Sequence, residues 1–111
     1  MDMLYQKIAE IIQVIMNSED YLECIRYQDE ISNDSFLSSL IDECKKMQKE
    51  YLYTQSDDTY GKLCLLQEQL FSHPIYSIYL RHLDAVNEMI NYVKNELNLY
   101  FDEVMNFSKE D

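Results

Sequence analysis

From His73 to Phe107 the chain carries one apolar stripe: Ile75, Tyr79, Leu83, Val86, Ile90, Val93, Leu97, Tyr100, Val104 and Phe107. Every step between neighbours is three or four residues. That is one face of an amphipathic helix, close to the 3.5 spacing of a coiled-coil seam. The segment starts at the only proline, Pro74, and contains no glycine. At 1.5 Å per residue such a helix reaches about 50 Å. A lone helix of that length cannot bury its stripe. Either the rest of this short chain packs along it, or a second copy does.

The rest of the sequence agrees with helices. One Gly and one Pro in 111 residues are too few for the turns a sheet needs, whereas a helical bundle needs few. The hydrophobic fraction of 47% is that of a folded chain. The expected fold is therefore all-α: an antiparallel bundle of four to five helices with a long C-terminal helix, forming a single domain over residues 1–111. The ten tyrosines and absent tryptophan fit half-buried helix faces, because Tyr has an apolar ring and a polar tip.

In chain order, Leu4, Ile8, Ile11 and Ile15 form the stripe of a first helix over Met3 to Met16. Ile12, Val14 and Met16 make it apolar on more than one side, which predicts a helix sandwiched between neighbours. Ser18 is placed to cap a second helix carrying Tyr21, Cys24, Ile25 and Ile31, with Gln28 interrupting its stripe. Asn33 or Asp34 caps a third, with Leu37, Leu40, Ile41, Cys44, Met47 and Tyr51 on one face, ending near Thr54. A fourth begins near Asp57 or Asp58 and carries Tyr60, Leu63, Leu66, Leu70 and Phe71, with Gly61 expected in its first turn. Ser72-His73-Pro74 ends it and starts the long helix, since proline is tolerated in a first turn. The tail from Ser108 to Asp111 is polar and expected to fray.

The formal charge of −12 disfavours direct contact with nucleic acid or with an anionic membrane, both of which call for basic surface. The one basic cluster, Lys45, Lys46 and Lys49, reads as a solvated helix face. No apolar run approaches the roughly 20 residues of a membrane span. Three cysteines and no basic, apolar leader predict a cytoplasmic protein in a reducing compartment.

No catalytic set emerges. Cys24, Cys44 and Cys64 lie on three different helices and form no C-x-x-C pair. Neither His73 nor His82 has a Glu three residues before it, as a di-iron bundle requires. His73 is expected to support a helix start, and His82 to sit at the edge of the core. The acidic pairs Asp29-Glu30, Asp42-Glu43, Asp57-Asp58 and Asp102-Glu103 point about 100° apart on a helix and cannot share a proton. One glycine rules out a phosphate-cradling loop. Catalytic, cofactor and metal residues are therefore expected to be none. What remains is surface. The candidate oligomer or interaction residues are Tyr76, Tyr79, Leu80, Leu83, Val86, Ile90, Val93, Leu97, Tyr100 and Phe101, with Tyr92 and Leu99 also off the main stripe.

Three stretches carry a family likeness. They are Ser18-Glu19-Asp20-Tyr21 through Ile25, then Asn33-Asp34-Ser35 with Leu37, Leu40, Ile41 and Met47-Gln48. The third is Leu66-Gln67-Glu68 through His73-Pro74-Ile75, on to Tyr79, Leu83, Met89-Ile90 and Val93. In order and spacing they resemble the YlbF/YmcA (YheA/YmcA/YlbF) family of small helical proteins of Gram-positive bacteria. The resemblance implies a self-associating helical protein, a homodimer or higher oligomer, that regulates without catalysis. It implies roles in competence, sporulation and biofilm development. It also implies partners such as a paralogue or a YaaT-like protein, which acts on RNA processing by RNase Y. The better-known regulators carry a cysteine-bearing tail linked to iron–sulfur binding. Here no cysteine follows Cys64, so no cofactor is carried over, and a YheA-like, self-contained homo-oligomer stands as the alternative. A metal- or cluster-binding helical protein is a third reading. It requires Cys24, Cys44 and Cys64 to converge.

Overall fold

The computed structural model describes the backbone from Asp2 to Glu110 and side chains from Met3 to Asn106. The chain is all-α, with five helices among the described residues: α1 (Asp2–Met16), α2 (Glu19–Asn33), α3 (Ser35–Thr54), α4 (Asp57–Phe71) and α5 (Pro74–Glu110). Helix α5 is the long C-terminal helix that the stripe predicts, 37 residues or about 55 Å. Its backbone stays helical through Ser108 to Glu110. The Phe107 side chain and the side chains of the tail, expected to fray, lie outside the described residues.

Local chemistry sets each boundary. Ser18 Oγ donates to Ile15 O (2.6 Å) and accepts from Tyr21 N (3.2 Å), so one hydroxyl closes α1 and caps α2. Glu19 and Asp20 then place negative charge in the first turn of α2, where the helix dipole favours it. Of the two cap candidates for α3, Asp34 takes the role: its backbone is extended and its Oδ1 accepts from Leu37 N at 3.0 Å. Gln55 ends α3 in the left-handed region at φ 50°, and Ser56 caps α4. Gly61 lies at the fifth residue of α4, beyond the first turn expected of it. His73 Nδ1 accepts from Ile75 N at 3.3 Å, and Pro74 is the first residue of α5, where a missing N–H goes unnoticed.

The chain divides into two compact units, residues 23–81 and residues 1–22 with 82–111. The first holds most of α2, all of α3 and α4, and α5 as far as Arg81. Its core is Ile31, Leu37, Leu40, Cys44 and Leu70, with Ile41, Leu66, Ile75, Tyr76 and Tyr79 packed against it. Helices α3 and α4 run antiparallel. Tyr51 and Tyr60 meet near their short connection, rings 5.4 Å apart, while Leu40 and Leu70 share the core at the far end. The second unit holds α1, the start of α2 and α5 from His82 onward.

Candidate interaction surface

In that second unit α1 and α5 lie alongside each other. A groove of about 560 Å³ is lined by Ile11, Val14 and Ile15 of α1 and by Ala85, Glu88, Met89, Tyr92 and Val93 of α5, with Asp20 at its end. A second, of about 450 Å³, adjoins it through Ile11, Tyr92 and Val93 and adds Leu4, Glu96, Leu97 and Tyr100. Ile15 faces the start of α5 in this unit and Leu4 its later turns, so the two helices are antiparallel.

Two helices cannot cover one another. The α1 stripe of Leu4, Ile8, Ile11 and Ile15 is only half-buried, and no described residue of α1 is fully buried. Helix α1 has apolar residues on several sides, as its sequence predicted, but its unit supplies one long helix to pack against. Val14 stays 70% exposed and Tyr92 67% exposed, with Met3, Tyr5, Ile12, Leu99 and Met105 also open to solvent. Helix length adds to this. Fifteen residues of α1 extend about 22 Å. Leu97 and Tyr100 meet the start of α1, and Phe101 and Val104, further along α5, are exposed.

The ten candidate residues separate into groups. Tyr76 and Tyr79 pack against the core of the 23–81 unit, and Leu80 is half-buried there. Leu83 is half-buried in the other unit and Val86 is 6% exposed, so their contacts are internal. Val93, Leu97 and Tyr100 line the groove, while Ile90 at 41% and Phe101 face solvent. The main omissions are Val14, Ile11 and Leu4 of α1. Their signal was present in the apolar excess of that helix.

The three cysteines have separate environments. Cys24 and Cys44 are buried and Cys64 is exposed. Burial and the neighbouring Glu43 push the Cys44 thiol above its ordinary range, as for an inert core residue. Among the described residues no group of three or more His, Cys, Asp or Glu is placed to hold a metal, and no helix is long and apolar enough to cross a membrane.

The profile of one family, the control of competence regulator ComK, YlbF/YmcA, matches residues 4–99. The chain belongs to the YlbF/YmcA family. That match runs from Leu4 in α1 to Leu99 in α5, so it takes in both helices of the groove. Membership assigns a regulatory role, since the family is one of competence control. Comparison with curated proteins gave no match, and comparison with solved structures gave none.

Proposed function

We propose that this YlbF/YmcA member is a non-catalytic adaptor that acts by protein–protein contact through the exposed apolar face of α1 and α5. The single observation that carries it is a helix, α1, with apolar side chains on several sides and none of its described residues buried. Burying a Val, Leu or Ile side chain is worth roughly 1.5–3 kcal/mol, so covering Val14 and its apolar neighbours favours binding of a partner. Asp20, Glu88 and Glu96 rim the groove, and the chain carries −12 overall. A partner that sets basic residues around apolar anchors complements this surface. By family likeness, the partner is a paralogue or a YaaT-like protein in the cytoplasm. The process is RNase Y-dependent RNA processing in competence, sporulation and biofilm development.

A second reading has its own support: the same apolar face can be covered by another copy of the chain, giving a self-contained homo-oligomer. Capture of the tagged protein from its own host, followed by mass spectrometry, separates the two. Recovery of a paralogue, a YaaT-like protein or an RNase, lost in Tyr92→Glu, supports the adaptor. Recovery of the bait alone at an oligomeric mass supports the homo-oligomer. Salt gives a further distinction. Screening relieves self-repulsion between acidic copies and strengthens a homo-oligomer, but weakens binding to a basic partner.

A further inference from the structure

A cleft of about 390 Å³ opens in the 23–81 unit between α2, α3 and the first turns of α5. Its walls are Ile31, Ile41 and the rings of Tyr76 and Tyr79, and Gln28 and Lys45 stand at its mouth. It runs on toward α4 as a further space of about 170 Å³ that shares Ile41, Lys45 and Tyr76. The volume lies within the range of small-ligand sites.

The polar groups at this cleft are arranged as donors. Gln28 Nε2 donates to the Tyr79 hydroxyl oxygen at 3.1 Å, which leaves the Tyr79 proton free to be donated elsewhere. Tyr76 packs against Tyr79 with the rings tilted 49° to each other, centroids 5.9 Å apart. Ser32 is committed already, donating to Gln28 O at 2.9 Å. Lys45 makes no ion pair among the described residues, although Lys7, Arg26 and Lys62 each pair with a carboxylate about one turn away.

We propose that this cleft binds a small organic monocarboxylate with an aromatic or apolar body, its carboxylate held by Lys45 and the Tyr79 hydroxyl. One ammonium and one or two hydroxyls match a single negative charge. Phosphate recognition draws on arginine forks or converging backbone N–H groups, and neither lines this cleft. The acidic chain repels multivalent anions more strongly than single ones. The ring and aliphatic walls take the body of the ligand, and the extension toward α4 gives it room. The site stands independently of the adaptor role, because none of its residues belongs to the α1/α5 face.

The test is a heteronuclear NMR titration of the full chain with phenylacetate, its neutral analogue phenylacetamide, and inorganic phosphate. Phenylacetate is expected to give saturable shifts at Gln28, Ile31, Ile41, Lys45, Tyr76 and Tyr79. Loss of one charge-assisted hydrogen bond weakens binding by about tenfold or more, so that loss is expected for phenylacetamide and for Lys45→Met. Tyr79→Phe is expected to weaken it less. Lys45 is exposed, so its variant keeps the fold, and Lys46→Met serves as the matched control with unchanged affinity. Four results overturn the proposal. They are no saturable shifts at these residues, equal binding of the amide, phosphate binding as well as phenylacetate, or equal effects of Lys45→Met and Lys46→Met.

Discussion

His82 Nδ1 lies 2.9 Å from Asp20 Oδ1, which ties the first turn of α2 to α5 beside the apolar groove. Asp20 is also in that groove's lining, so the pair sets one end of the contact face. Both side chains are partly exposed, which limits what the bond contributes. A double-mutant cycle with Asp20→Ala and His82→Ala is expected to give a coupling of about 0.5–1 kcal/mol in urea unfolding. Strict additivity would remove the pair from the account.

The only glycine of the chain and the left-handed residue among the described residues are at different places. Gly61 sits inside α4 with open space where a Cβ would project, while Gln55 takes φ 50° at the end of α3. Gly61→Ala is expected to stabilise by about 0.5–1 kcal/mol, because alanine is the better helix former and meets no neighbour. Gln55→Gly is expected to stabilise by a similar amount, about 0.5–1 kcal/mol, by relieving the Cβ penalty of the left-handed region. Thermal unfolding of both variants checks this, and a lower midpoint in either contradicts it.

Val86 and Ile90 are one turn apart on α5 and are expected to respond differently to charge. Val86 is buried, and an unpaired carboxylate there costs several kcal/mol, comparable with a domain stability of about 5–15 kcal/mol. Val86→Glu is therefore expected to unfold the protein. Ile90 is exposed, so Ile90→Glu should keep its helical circular dichroism and lose only binding. Equal unfolding by both would mean that Ile90 is interior.

Alkaline pH gives a prediction with a definite sign. Burial, then Tyr79 and Cys44, raise the Tyr76 phenol above its ordinary 10.0. As pH climbs past that value, the unfolded chain releases a proton that the folded one retains, so stability falls. At neutral pH both states hold the proton and nothing is lost. The stability of the wild type relative to Tyr76→Phe is expected to drop above about pH 10. A constant difference across that range would contradict the burial of Tyr76.

Much of this fold was legible in the residues. Ser18, Asp34, Ser72-His73 and Pro74 act through local chemistry, so they placed the helix ends within a residue or two. The α5 stripe was legible as a helix but not as a partition. Spacing alone could not show that its early members, Ile75 and Tyr79, join the 23–81 core while Val93 and Leu97 face α1. Ile90 looked like the centre of the seam and is exposed, because one helix of 15 residues covers only part of a face. Gln28 read as a flaw in the α2 stripe, yet it hydrogen-bonds Tyr79 across 51 positions of sequence, a pairing that no local pattern carries. The apolar excess of α1 was visible, and it took the structure to show that no second helix of its own unit covers it.

The central claim is that another protein chain covers the α1/α5 face, and in-cell photo-crosslinking tests it most directly. A benzophenone amino acid would replace Tyr92 or Val14 in the groove, with exposed Asp29 of α2 as the control position. Irradiation is expected to yield discrete adducts from positions 92 and 14 and none from 29. Mass spectrometry of those adducts would then distinguish a paralogue or other partner from a second copy. No adduct from positions 92 and 14 beyond the level at position 29 would contradict the account.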